Sequence, residues 1–343
     1  MNELPNDIFN KINDFVFFKP KSKKELQEAV NFYCENKEEG IKKYGAINNW
    51  NVSSITYMAY LFFDKEFFNE PINNWDVSNV TNMEFMFRGA GNFNQPLNKW
   101  NTSKVTNMSY MFEFATIFNQ PLNNWNTSNV TTMRGMFKRD SYFNQPLNNW
   151  DTSKVTDMSF MFHSTTKFNQ SLNDWNTSQV TNMGEMFGYT TKFNKPLDNW
   201  NTSKVTNMNG MFFGAEKFNQ SLNNWDTSQV TDMSCMFNSA NKFNQSLNDW
   251  DISNVTDIES MFAYANKFNK SLNNWNTRQI TSMRYVFEYA ESFNQPLNNW
   301  DVRNVTDMTM MFYHAKNFNQ SLNDWDTTQV INTDGMFENA KKF

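Results

Sequence analysis

Histidine and cysteine are the scarcest chemistry-bearing residues in this chain, with two of each in 343 residues. His163 and His314 fall in distant, variable parts of the sequence, so they supply neither a shared metal site nor a charge relay, and both read as surface residues. Cys34 and Cys235 are too few and too far apart for a disulfide framework and read as free thiols. No glycine-rich phosphate loop occurs among the ten glycines. Basic excess is missing too: a net charge of −5 and a pI near 5.3 exclude a broad nucleic-acid footprint. No apolar run reaches the length of a membrane span, and the opening MNELPNDIFNKIND lacks the basic start, apolar stretch and cleavage site of a secretory signal. An intracellular location is the expectation. Asn-x-Ser/Thr sequons such as Asn101-Thr102-Ser103 then read as by-products of a repeat rather than glycan sites.

What the chain has is periodicity. All twelve tryptophans lie at multiples of twenty-five, from Trp50 to Trp325. A large aromatic at a fixed interval marks one structural unit copied in register, and an array of such units buries a continuous core that no single unit can bury alone. Aromatics at 17% also exclude a disordered coil. Residues 101–125, NTSKVTNMSYMFEFATIFNQPLNNW, give the clearest copy.

Val105, Met108, Met111, Phe112 and Ala115 are spaced as one face of a short helix over about residues 106–115, with Thr106 and Asn107 placed to cap it. Pro71, Pro96, Pro121, Pro146, Pro196 and Pro296 share one column and forbid a central ladder there, which puts a short parallel strand around Trp-Asp/Asn-Thr/Val-Ser. Trp and Thr/Val then face inward and Asp/Asn outward. The predicted fold class is an α/β solenoid of 25-residue coils, each a short strand plus a short helix. Met83, Met108, Met133 and their successors fill the core, and Asn94, Asn119 and Asn144 satisfy backbone groups in turns.

These residues resemble the BspA-like leucine-rich repeat proteins, in particular the mycoplasma-lipoprotein type of repeat whose function is unknown. The unit F-N-Q-P-L-N-N-W-[DN]-[TV]-S-x-V-T-[ND]-M-x-x-M-F-x-x-A carries the resemblance over residues 50–343. The stretch from Phe18 to Trp50 is similar to the leader that precedes such arrays. The resemblance implies a right-handed solenoid used for protein contacts and, in bacterial surface members, for adhesion. This chain departs from those members in lacking a signal or a lipidated cysteine near its start. Similar arrays occur in large DNA viruses and protists, and the wealth of Asn, Lys and Phe suits AT-rich coding, so a viral protein in a host cytoplasm fits as well.

Three regions follow: residues 1–17 as an N-terminal helix, 18–49 as a helical leader and cap, and 50–343 as about twelve repeats. Leu26, Ala29, Val30, Tyr33 and Cys34 mark the cap helix, expected over Ser22 to Lys37. Leu4 to Ile12 resembles the opening of an F-box, which implies an adaptor for ubiquitin ligation; the alternative is an extra capping helix carrying Ile8, Ile12 and Phe15. The last unit weakens at Ile331 and Thr333, and an open terminal coil invites end-to-end homodimerisation.

With serine in nearly every unit and no positioned base, no catalytic, cofactor or metal site is expected, and the function is a non-enzymatic scaffold for a protein partner. Its contacts belong in columns that the core does not dictate. Tyr60, Phe85, Tyr110, Phe160 and Tyr285 share one such column on the expected helix, and Asp76, Asp151, Asp226, Asp251 and Asp301 line the outward column of the expected strand. Lys167, Lys192, Lys217, Lys242 and Lys267 form a further ladder, which either attracts phosphates or an acidic partner or answers the negative end of the helix dipole.

Overall fold

The computed structural model describes residues 17–340. The F-box-like segment, Ile8, Ile12 and Phe15 lie outside the described residues. The described chain opens with a helical cap. Helix α1, Lys23–Glu35, starts where Ser22 accepts a hydrogen bond from the Glu25 amide, and it buries Leu26, Ala29, Val30 and Tyr33. Helix α2, Lys37–Tyr44, was not foreseen; Asn36 caps its start and Gly45 its end. Phe18, Tyr33 and Tyr44 close around Trp50, with ring centroids 5.0, 5.7 and 5.8 Å away, and so join the cap to the first repeat.

From Trp50 on, each unit stacks on the next and equivalent side chains meet their copies. Stacked indoles lie 6.2–6.4 Å apart and nearly parallel in pairs such as Trp100–Trp125 and Trp150–Trp175. Trp50 Nε1 donates to the Gly45 carbonyl of the cap, and from Trp75 on each Nε1 donates to a carbonyl 28 residues back, Trp125 to Leu97 and Trp150 to Leu122, both at 3.0 Å. The indole thus buries its area, worth about 5 kcal/mol before ordering entropy is subtracted, without orphaning its donor. Two phenylalanine ladders run alongside; Phe112 sits 4.1 Å from Phe118 within its unit and 5.7 Å from Phe137 in the next. Met108, Met111, Val105 and Leu122 fill the remainder and are buried.

The secondary structure of the unit is not the expected one. Residues 106–115 form no helix but a run of consecutive turns. The amides of Met111, Glu113 and Ala115 donate to the carbonyls three residues back, while those of Met108, Tyr110, Phe112 and Phe114 donate to Thr132, Arg134, Met136 and Lys138 of the next unit. Turns closed every three residues place apolar side chains inward at nearly helical spacing, which is why the pattern read as a helix. What prevents the helix is the backbone of Tyr110 and Phe114, left-handed at φ 56° and 58°.

The expected strand is also corrected. No strand forms around Trp-Asp/Asn-Thr/Val-Ser; parallel pairing occurs instead as single-residue bridges in the Asn107 column, such as Asn82 to Asn107 and Asn107 to Thr132. The inward and outward faces nevertheless follow the alternation, since Trp100 and Thr102 are buried and Asn101 is exposed. Buried Thr102 donates to the carbonyl of Asn126 at 2.9 Å, a side-chain bond standing where a strand would place a backbone one. Asn94 works as the turn argument required, but across units: its Oδ1 accepts from the amide of Asn119 and from Gln120 Nε2, both at 3.0 Å.

Candidate partner-binding ridge

Two columns of every unit carry a left-handed backbone, the column of Tyr110 and that of Phe114, with φ between 52° and 71°. Their side chains lie outside the core, so sequence varies there. Five of these positions are glycine, which adopts the conformation without penalty. The aromatic ones do so at a cost of about 1–2 kcal/mol each.

Of the aromatics singled out from sequence, the structure brings Tyr60, Phe85 and Tyr110 into one stack, each ring centroid 4.9 Å from the next. The stack ends over Gly135. A Cβ at that position would sit 2.3 Å from the Tyr110 ring, so glycine there serves the close approach as well as the positive φ of 57°. Phe160 is not part of the stack; it is linked to it by Arg134 and Lys138, whose charges lie 5.3 and 5.0 Å from its ring. Tyr285 stands apart, beside Arg284 alone at 5.2 Å.

Sequence reasoning missed the cations and the second aromatic column. Arg88 lies over Phe63 at 5.0 Å and over Phe85 and Phe114 at 5.9 Å, and its Nε is 2.6 Å from Glu113 Oε2. Glu113 also meets Lys138 at 3.4 Å. Arg134 donates to the Tyr110 hydroxyl at 2.7 Å, which holds the guanidinium above its ordinary pKa. Arg139 covers Phe114 at 5.0 Å. Beyond Phe160, His163 lies 3.0 Å from Glu185 and edge-on to Tyr189. The result is a ridge of alternating rings and charges from Tyr60 to Tyr189, with Tyr60 and Tyr189 exposed. The signal that marks it in the sequence is glycine recurring with Asp, Asn and Ser in the two columns, at Gly89, Gly135, Gly210 and Gly214.

The carboxylates Asp76, Asp151, Asp226, Asp251 and Asp301 have a local duty. In each, Oδ1 accepts from the amide two residues on, at 2.9–3.2 Å. Hydrogen bonds from Ser153 and Ser228 lower the pKa of Asp151 and Asp226, and the Arg303 side chain brings Asp301 down to about 2. This Asx-turn explains why the column holds Asp or Asn without calling on a partner. Among the described residues no cluster of three or more His, Cys, Asp or Glu side chains is placed to hold a metal ion. No described helix is long and apolar enough to cross a membrane.

Cys34 and Cys235 are free and half-buried, and burial pushes both thiols up to about 11. Asp140 is fully buried in a column that from Ala90 onward otherwise holds Ala or Thr, and neither carboxylate oxygen makes a hydrogen bond in good geometry. Burial raises its pKa well above the usual carboxylate range, and the nearby amides of Tyr142 and Phe143 offset only part of that.

Compared with known families, the chain matches the model described as "Mycoplasma protein of unknown function, DUF285" in four overlapping stretches, residues 31–143, 120–212, 192–281 and 244–343. The matches run through every described unit of the array, so the chain belongs to that family. A comparison with curated proteins finds no match.

Proposed function

From membership of that tandem-repeat family, whose function is unknown, we propose that the chain is a non-catalytic solenoid scaffold of the BspA-like kind that binds a protein partner along the ridge from Tyr60 to Tyr189. The observation that supports this most is the retention of large aromatics at left-handed positions where glycine fits without strain, with Arg88 over Phe85, Arg134 over Tyr110 and Lys138 over Phe160. Tyr and Arg dominate the energetics of protein interfaces because they bury much area while keeping a polar tip. Stacked rings of this kind present that area already ordered, so little side-chain entropy is lost on binding. The Trp, Met and Phe side chains of the core ladders are buried and have no role at the surface, so selectivity falls to the columns that change between units.

The test is affinity purification from the native source, comparing the whole chain with a variant carrying Tyr60→Gly, Phe85→Gly and Tyr110→Gly. Glycine accepts the left-handed backbone, so the substitutions remove rings without adding strain. Recovery of the specific partners is expected to fall at least about tenfold, the equivalent of one hot-spot residue or more. An unchanged partner set would show that the ridge is not the binding surface.

A further inference from the structure

The lysine row at residues 167, 192, 217, 242 and 267 loses its conventional explanation in this structure. Lysine is favoured at the end of a helix by the helix dipole, but the preceding residues form turns and no helix ends there. The lysines are all exposed. Elsewhere, Lys104, Lys154 and Lys204 are tied down, each donating to an Asn or Gln side chain of the preceding unit at 2.7–2.8 Å. In contrast, Lys192, Lys217, Lys242 and Lys267 make no hydrogen bond, ion pair or ring contact among the described residues, and Lys167 only overlies the Tyr142 ring at 5.4 Å. Glu216 is the one carboxylate in the column alongside the row.

Each lysine is followed by a buried phenylalanine that fixes the spacing. The rings of Phe168, Phe193, Phe218, Phe243 and Phe268 succeed one another at 6.0–6.1 Å. That interval is shorter than the Debye length of about 8 Å at physiological ionic strength, so neighbouring ammonium groups repel one another and their potentials add. The row is therefore a line of exposed, unpaired positive charges whose attachment points follow the period of the phenylalanine ladder.

We propose that this row binds an extended acidic polypeptide segment with carboxylates on alternate residues. Side chains on one face of an extended strand repeat every ~6.6–6.8 Å, and flexible lysine stems take up the small difference from the period of the row. A single-stranded nucleic acid is the less suitable polyanion, because its binders add aromatic platforms on which bases stack. Here the phenylalanine rings that follow the lysines are fully buried, and the exposed Tyr142 ring lies beside Lys167 alone.

Fluorescence anisotropy with the full chain tests this, using a labelled Glu-Ser repeat peptide with five glutamates and, in parallel, a labelled oligothymidylate. The triple variant Lys192→Gln, Lys217→Gln, Lys242→Gln is expected to bind the peptide at least roughly tenfold more weakly, and the wild-type affinity to fall as salt is raised. The control triple Lys104→Gln, Lys154→Gln, Lys204→Gln removes the same charge from another row and is expected to stay within about twofold. Arginine at positions 192, 217 and 242 keeps the charge and is expected to retain binding, which separates charge from misfolding. Absence of peptide binding by the wild type, equal loss in both glutamine triples, loss in the arginine triple, or tighter binding of the oligothymidylate through the row would each overturn the proposal. The outcome is independent of the ridge, which shares no residue with the lysine row.

Discussion

Replacing Asp140 with alanine is expected to make the protein more stable, and the gain to grow with pH. Ala115 occupies the equivalent position one unit back and Thr165 one unit on, so the surrounding coils already accommodate a smaller side chain. Thr165 shows what a polar group there requires, since its hydroxyl donates to the Phe137 carbonyl at 2.6 Å. An ionised Asp140 has no proton to donate, only the nearby amides of Tyr142 and Phe143 outside good hydrogen-bond geometry to face it, and its burial is complete. A buried polar group left unpaired costs about 1–3 kcal/mol, and more when charged, so a gain of about 3 kcal/mol at neutral pH is a reasonable magnitude. At ~2.1 cal/mol/K per residue for the whole chain unfolding together, that raises Tm by about 4 °C. Because burial raises the folded-state pKa, the folded protein holds a proton that the unfolded chain releases near pH 4. Stability of the wild type therefore falls as pH rises above about 4, until the folded-state carboxyl itself ionises. Melting curves of wild type, Asp140→Ala and Asp140→Thr at pH 5, 7 and 8.5 measure the effect. A wild type at least as stable as Asp140→Ala at pH 8.5, or a gap that does not widen from pH 5, would refute the reasoning.

Gly135→Ala is expected to destabilise by about 2 kcal/mol, from the positive φ and from displacement of the Tyr110 ring, as read from the urea midpoint. Trp150→Phe removes one of the two hydrogen bonds to the Leu122 carbonyl, the Trp125 amide keeping the other, and opens a cavity in the indole stack; a loss of about 2 kcal/mol is expected, and a loss below about 1 kcal/mol would sink the account of the Trp ladder. Tyr285→Gly is expected to change stability by less than about 1 kcal/mol, because relief of left-handed strain offsets the lost contacts of a partly exposed ring. With both thiols pushed up to about 11, Cys34 and Cys235 are expected to react slowly with a disulfide reagent at pH 8 and faster as pH rises; rates equal to a free thiol at pH 7 would contradict their burial.

The repeat, its register and its core were legible because burial dictates them directly. Trp100, Met108, Phe112 and Leu122 recur where the stack needs them, and each is buried. The helix was misread because Met108, Met111, Phe112 and Ala115 satisfy turns closed every three residues as well as they satisfy a helical face. Periodicity reports which side chains point inward and does not report which backbone does it. The strand was misplaced for a related reason: Pro121 and its copies excluded one segment, and the ladder then seemed to need another, whereas the units are held by single bridges, turn amides and the side chains of Asn94 and Thr102. Of the ridge, the column of Tyr60, Phe85 and Tyr110 was visible. Arg88, Arg134 and Phe114 were not, because an expected helix turned them to unrelated directions.

The left-handed columns connect fold and function more closely than any other feature. An L-residue at positive φ costs energy, and that cost persists only where the side chain returns it. In Tyr60, Phe85 and Tyr110 the stack itself returns part of it, since an aromatic pair contributes about 0.5–1.5 kcal/mol beyond area burial. Tyr285 has no such stack: its column neighbours are Ser260 and Met310, and Arg284 overlies its ring. Two stacked pairs return less than three left-handed positions cost, so folding stability accounts for only part of the stack. Tyr285 is the cleaner reporter of binding, because a tyrosine that contributes little to the fold and sits where glycine is at ease has its reason outside the folded chain. If Tyr285→Gly leaves stability unchanged and lowers partner recovery, the binding surface extends well past Tyr189; if it changes neither, the surface ends with the ridge at Tyr189.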